Sequence, residues 1–243
     1  MQVDKKLAAQ IEPFDSFWEA PKQIEKGYDK FSKFYHRNYL KHMPIQKTNR
    51  ILVVSCGPGY FLDVLKNMGI TDVLGIDSDP EKIAYARARR LNCEVANAFP
   101  FLEAGHDPYD VIFAEQEINH LTKTEIMQFL SLCQQNLKIS GMLVIHSLNG
   151  ANPITGSEAM AQNVNHFNTF TEYSLKQILE HAGFQDIHVF PLKLHIFYEN
   201  PANYVGMAID SALNLLFRLA FIFYGKTNKI FSKKIAAICY RGS

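Results

Sequence analysis

Gly57 and Gly59 lie in the stretch Ser55-Cys56-Gly57-Pro58-Gly59, where an apolar run over 51–55 gives way to a segment of helical period. Glycine lets a backbone come close to a ligand, and a helix N-terminus presents unpaired N–H groups to polar atoms. Asp77 follows a second apolar run, about 20 residues after this turn, the spacing at which a carboxylate grips a ribose diol. Together these residues predict a site for a nucleoside-bearing cofactor. A nicotinamide dehydrogenase is the weaker form of this reading, because Gly57-Pro58-Gly59-Tyr60-Phe61-Leu62 lacks the third glycine of the dehydrogenase turn.

Such a site needs strands that end side by side. Apolar runs at 51–55, 72–76, 93–96, 110–114 and 141–147 alternate with helical periodicity at 61–68, 80–90 and 123–137. Strands alternating with helices imply βαβ crossovers and a parallel sheet covered on both faces. A further helix is expected over 171–182, with Thr171 as N-cap and Gly183 at the C-cap position, then strands at 186–192 and 234–240. Upstream, Tyr28, Phe31, Tyr35 and Tyr39 recur at helical spacing and share one face, in a segment that also carries Phe14, Phe17 and Trp18. Most of that stripe reads as packing, although Tyr28 and Arg37 are also placed to close over a cofactor. The connection around 150–168 is long enough to suggest function. The expected organisation is one domain: an N-terminal helical cap (1–48), a cofactor-binding core (49–200), an amphipathic helical insert (201–232) and a last strand (233–243).

The chain has 243 residues, with 25 Lys and Arg against 24 Asp and Glu, so no strong field points to nucleic acid. The balance is uneven: residues 201–243 hold six basic side chains and one acid, Asp210, while the first 200 residues are net negative. Cys56, Cys93, Cys133 and Cys239 are scattered without a CxxC pair, so neither zinc nor iron–sulfur chemistry is expected. Glu115, Glu117, Asn119 and Asn149 give no clear metal pattern either, and no metal is predicted. The opening residues lack the apolar core of a secretory signal, and a cytoplasmic location is expected. The most apolar stretch, 205–225, is broken by Asp210 and Arg218 and falls short of an uninterrupted membrane span. Its leucines and phenylalanines cannot all share one face. A dimer or domain interface, or peripheral contact with a membrane, is therefore expected through 201–232.

Over roughly residues 25–195 the motifs resemble class I S-adenosylmethionine-dependent methyltransferases. The segment 51–59 resembles the first glycine-rich motif, Gly75-Ile76-Asp77 the ribose-binding acid, and 94–102 the loop beside the adenine. Tyr109-Asp110 with Ile118-Asn119-His120-Leu121 resembles the fourth strand and its following turn, and 137–145 the entry to the fifth strand. The resemblance implies a Rossmann-like, doubly wound α/β sheet of seven strands in the order 3-2-1-4-5-7-6, the last strand antiparallel. It places Ser55, Cys56, Gly57 and Gly59 under the cofactor, Asp77 and Ser78 at its ribose, and Asn97, Ala98 and Phe99 beside its adenine. Glu115 would stand at the end of the fourth strand, with Arg37 on the methionine carboxylate.

More narrowly, Phe34-Tyr35-His36-Arg37-Asn38-Tyr39-Leu40 and the segment 165–175 around His166 resemble a bacterial subgroup found in polysaccharide and O-antigen biosynthesis, whose members methylate sugars or glycan-linked groups. A small-molecule or glycan acceptor is implied. Val53, Ser55, Asn97, Asn119 and Phe167 depart from the family pattern, each removing a charge or a turn glycine. Transfer of a methyl group from a sulfonium is an in-line displacement, and a hydroxyl acceptor additionally needs a base. His166 and His146 are the candidate bases, with His120 read as structural. A methyltransferase-like binding subunit that has lost its chemistry and acts through protein contacts is the alternative.

Overall fold

The computed structural model describes residues 21–114, 117–161, 166–193 and 202–242. Phe14, Phe17, Trp18 and Glu115 lie outside them. Seven strands form one sheet: β1 (Ile51–Val54), β2 (Val73–Asp77), β3 (Cys93–Val95), β4 (Tyr109–Ala114), β5 (Leu137–Leu148), β6 (Phe184–Leu192) and β7 (Lys234–Arg241). Their order is β3-β2-β1-β4-β5-β7-β6, as expected. Pairing is parallel from β3 through β5, and β7 runs antiparallel to both β5 and β6.

All four residues of β1 are buried, which is why it reads as a continuous apolar run rather than an alternating one. Val53, Phe113 and Val144 face one layer with the helices α1 (Pro21–Asn38), α2 (Tyr60–Asn67) and α3 (Pro80–Ala88). Leu52, Val54, Ile112 and Ile145 face the opposite layer, with α4 (Ala98–Glu103), α5 (Lys123–Asn136) and α7 (Glu172–His181). A short helix, α6 (Glu158–Ala161), interrupts the long connection after β5.

Local signals set most boundaries. Thr171 and Ser174 form a capping box at the start of α7, and Gly183 follows its end at φ 88°. Thr122 and Glu125 cap α5 in the same way. The aromatic stripe of α1 is core, with Tyr28, Tyr35 and Tyr39 all buried. Asn38, the last residue of α1, accepts a hydrogen bond from the Lys193 backbone N–H at 2.7 Å, which ties α1 to the end of β6. The insert is a single helix, α8 (Ala202–Phe223), stopped by Gly225 at φ 68°; the chain then runs on without regular structure to β7.

Asp210, which breaks the apolar run in sequence, is partly buried beside Asn214 in a hollow lined also by Asn152, Thr155 and Lys233. The outward face of α8 consequently keeps Arg218 as its one charge, and by length and composition Tyr204–Phe223 is apolar enough to cross a membrane.

Candidate active site

β1 ends at Val54, and three of the next five residues take left-handed backbone angles: Ser55 (φ 56°), Gly57 (φ 53°) and Gly59 (φ 84°). The chain reverses there and enters α2. A Cβ added to Gly57 would meet nothing within 4 Å, so this backbone faces open space. At Gly59 the same atom would fall 2.7 Å from the Leu91 side chain, so glycine serves both the angle and the packing.

Asp77 finishes β2 and locks the turn. Its Oδ2 accepts a hydrogen bond from the Gly57 N–H at 2.8 Å, and its Oδ1 accepts one from the Asp79 N–H at 2.9 Å. Each carboxylate oxygen retains a second lone pair for a ligand hydroxyl. The Ala96 N–H donates to the Asp77 carbonyl at 2.9 Å, which brings Asn97 beside the same strand tip. Asn97 is exposed and stands at the N-cap of α4 without using its side chain there. Ala98 and Phe99 are partly buried, with the Phe99 ring edge-on to Phe129 at 6.1 Å, and Ser78 is exposed. The ends of β1, β2 and β3 thus hold Gly57, Asp77 and Asn97 together at one edge of the sheet. Cys56 is buried, and burial together with the Asp77 charge pushes its thiol well above the usual range, so it is a packing residue.

From above, α1 clamps this turn. The Tyr28 hydroxyl donates to the Pro58 carbonyl at 2.7 Å, its ring meets Tyr60 edge-on at 4.9 Å, and the Arg89 guanidinium lies 3.8 Å from the ring centre. Burial pushes the Tyr28 phenol up to about 12 against the opposing pull of Arg89, so it remains a donor. Phe31 stacks on Tyr60 at 4.4 Å. Arg37 is exposed and leaves α1 about half a turn round from the buried Tyr28.

The two candidate bases part company. His146 lies within β5, 2% exposed, with Nδ1 2.9 Å from the Tyr39 hydroxyl oxygen and Nε2 without a hydrogen-bond partner. Burial, and then the positive charge of Lys234, hold it well below the usual histidine range. It is a neutral ring enclosed under α1 and does not reach the surface of the cleft. His166 is partly exposed, and its ring lies 4.8 Å from that of His120.

Asparagines hold this histidine pair. The Asn119 side chain accepts from the Leu148 N–H at 3.2 Å and donates to the Asn168 carbonyl at 2.7 Å, while its carbonyl accepts from the Phe167 N–H at 2.9 Å. The Asn168 amide donates in turn to the Leu121 carbonyl. The loop bearing His166 is therefore fastened to the turn after β4. The sequence marked Asn119 as a departure from the family pattern and weighed it as a metal ligand, but gave neither it nor Asn168 this fastening role; their signal is a short amide near each histidine. Asn149, which follows the end of β5, spends its amide on the Ala151 N–H and on the Ile230 and Ser232 carbonyls, fastening the segment before β7.

A methyltransferase-domain family model matches residues 23–189. Among curated relatives, a trans-aconitate 2-methyltransferase of Rhizobium rhizogenes is 26% identical over 110 residues, 45% of this chain and 42% of that protein. A ubiquinone biosynthesis O-methyltransferase of Rhodopseudomonas palustris is 27% identical over 104 residues, 41% of this chain and 40% of its own length. These matches span less than half of either relative. Among solved structures, a SAM-dependent methyltransferase from Archaeoglobus fulgidus shares the fold with TM-score 0.66 and 22% identity, covering 93% of this chain and 97% of that one. A Haemonchus contortus phosphoethanolamine N-methyltransferase, solved with S-adenosyl-L-methionine, superimposes with TM-score 0.57 and 14% identity, over 94% of this chain and 60% of that one.

Proposed function

Because this chain belongs to the methyltransferase-domain family, in its class I S-adenosylmethionine-dependent form, we propose that it methylates an oxygen of a small polar acceptor, with a sugar hydroxyl of a glycan precursor as the acceptor class. The carrying observation is the tie between Asp77 and the Gly57 N–H, which sets a ribose-gripping carboxylate against an open glycine backbone. The residues present fit the cofactor: an open cradle at Gly57, free lone pairs on Asp77, and an Asn97 amide not used in capping its helix.

When bound, the cofactor supplies a methyl group on a sulfonium, an electrophile that needs no metal. The protein's part is to orient and to move a proton. Gly57 and its neighbours receive the cofactor's polar groups at the N-terminus of α2. Asp77 accepts from the ribose hydroxyls, and Asn97 pairs the adenine edge. His166 takes the acceptor's hydroxyl proton on a ring nitrogen, while Asn119 and Asn168 hold its loop still. The acceptor class rests on the resemblance of 34–40 and 165–175 to the polysaccharide subgroup. Methylation of oxygen is also the activity named for the ubiquinone-pathway relative.

Calorimetry with S-adenosylmethionine and S-adenosylhomocysteine tests the cofactor half. Failure of both to bind at about 1 mM overturns it and favours a binding subunit without chemistry. A screen of sugars and nucleotide sugars with radiolabelled methyl donor tests the acceptor half. Transfer to nitrogen acceptors alone removes the proposed oxygen chemistry.

A further inference from the structure

The helix α8 is built inside out. Its inner stripe packs Phe217 and Phe221 on the buried Phe231, at ring distances of 6.2 and 4.5 Å, and turns Asp210 and Asn214 toward the protein. Its outer face is greasy: Leu215 is 60% exposed, Leu216 57%, Ile222 58% and Phe223 88%. A solvent-facing helix normally shows the reverse arrangement, and an apolar patch of this kind marks an interaction surface. Tyrosines close both ends, Tyr204 at 74% and Tyr224 at 85% exposure, the position such amphipathic rings favour at a lipid–water boundary. Just beyond the C-terminal end, Lys226, Lys229 and Lys233 are exposed, and no acid follows Asp210 in the chain.

We propose that α8 seats this protein in the plane of a bilayer whose surface carries anionic lipid. Charge decides between the possible occupants. Anionic headgroups complement Lys226, Lys229 and Lys233, whereas a second copy of α8 has no acid on its exposed face to meet them. The docked inner stripe decides the orientation. Leu213, Phe217 and Phe221 are engaged with the body of the protein, so the helix lies along the surface with its outer face in the acyl boundary. Arg218, the remaining charge on the exposed face, has a stem long enough to carry its guanidinium out to the headgroups. The segment returning from α8 enters β7 at Lys234, which pairs with Leu148 at the carboxyl end of β5, the same end of the sheet as the glycine turn. Seating is independent of methyl transfer and is read without it.

The test uses the whole 243-residue chain. It is floated with phosphatidylcholine vesicles, alone and with phosphatidylglycerol added, while light scattering reports its oligomeric state in solution. The expected result is co-flotation that requires phosphatidylglycerol and weakens as salt rises. Lys226→Gln with Lys229→Gln should lower partitioning roughly fivefold for each lysine removed. Leu216→Ser with Leu219→Ser and Phe223→Ser should abolish it while leaving the unfolding midpoint unchanged, since all three side chains are exposed. Absence of wild-type binding to the anionic vesicles overturns the proposal, and a dimer that the triple variant dissociates would assign the face to a second copy. Equal binding to neutral vesicles overturns the role of the lysines, and binding retained by the triple variant overturns the role of α8.

Discussion

Asp77→Asn separates what this carboxylate does for the fold from what it does for the cofactor. In the wild type, each oxygen accepts one backbone N–H, from Gly57 at 2.8 Å and Asp79 at 2.9 Å. The amide can serve one of them through its carbonyl oxygen, but its NH₂ must then face the other donor. A hydrogen bond to a charged group contributes about 1.5–3 kcal/mol, and the side chain is only partly buried, so a stability loss near the lower end, about 2 kcal/mol, is expected. For a chain of this size that lowers the unfolding midpoint by about 4–8 °C. The variant also offers the ribose a neutral acceptor where a charged one stood, which should weaken S-adenosylhomocysteine binding by about 10- to 100-fold. Urea unfolding of the ligand-free protein gives the first quantity and calorimetry the second. Wild-type stability would refute the turn-locking argument. Lowered stability with unchanged affinity would leave Asp77 as a tether of the turn and remove it from the ribose.

Tyr28→Phe keeps the aromatic clamp but leaves the buried Pro58 carbonyl without its donor, and should cost about 1–3 kcal/mol with a measurable loss of S-adenosylhomocysteine affinity; an unchanged unfolding curve would deny the clamp. Gly59→Ala combines a left-handed angle with a contact 2.7 Å from Leu91 and should cost about 2–5 kcal/mol, whereas Gly57→Ala, with open space around its Cβ, should cost only about 1–2 kcal/mol in urea unfolding. Burial holds His146 neutral in the folded protein while its unfolded counterpart takes a proton below about pH 6.5, so its contribution to stability is full above that pH and falls by up to about 1.4 kcal/mol per unit beneath it. His146→Asn, which keeps an acceptor for Tyr39, should lose that part of the slope when unfolding is compared at about pH 7.5 and about pH 5.5. His166→Ala should leave cofactor binding intact and slow turnover by about 100-fold or more; equal turnover would point to another base.

Two departures from the family pattern have clear physical consequences. Ser55 occupies φ 56°, where the family has a glycine, and a side chain in that region costs about 1–2 kcal/mol. The turn nevertheless closes, because the Asp77 and Tyr28 contacts fix it from either side. Val53, where the family has an acid, is 1% exposed within the same apolar layer as Tyr35, Phe61 and Phe113. A carboxylate there would be stripped of water among these rings, a cost the valine avoids.

The chain's own pattern was sufficient for the strands and helices and for singling out the glycine turn and Asp77, while the strand order followed from the resemblance to the methyltransferase family. Buried parallel strands show as unbroken apolar runs, helices as a period near 3.6, and the glycine turn and Asp77 as residue types that local backbone geometry demands. Those are short-range properties, set within a few residues of one another. Side-chain direction and company are not. His146 and His166 look alike in sequence, yet one is sealed against Tyr39 and the other stands beside His120, because β5 lies under α1 while the loop before α7 is fastened by Asn119 and Asn168. Arg37 shares a motif with Tyr35 and points the other way, since only one face of α1 meets the sheet. Asp210 interrupts an apolar run in sequence but not on the surface, because packing of α8 on Phe231 turns it inward. Each of these outcomes depends on which element packs against which, a long-range choice that no local spacing encodes.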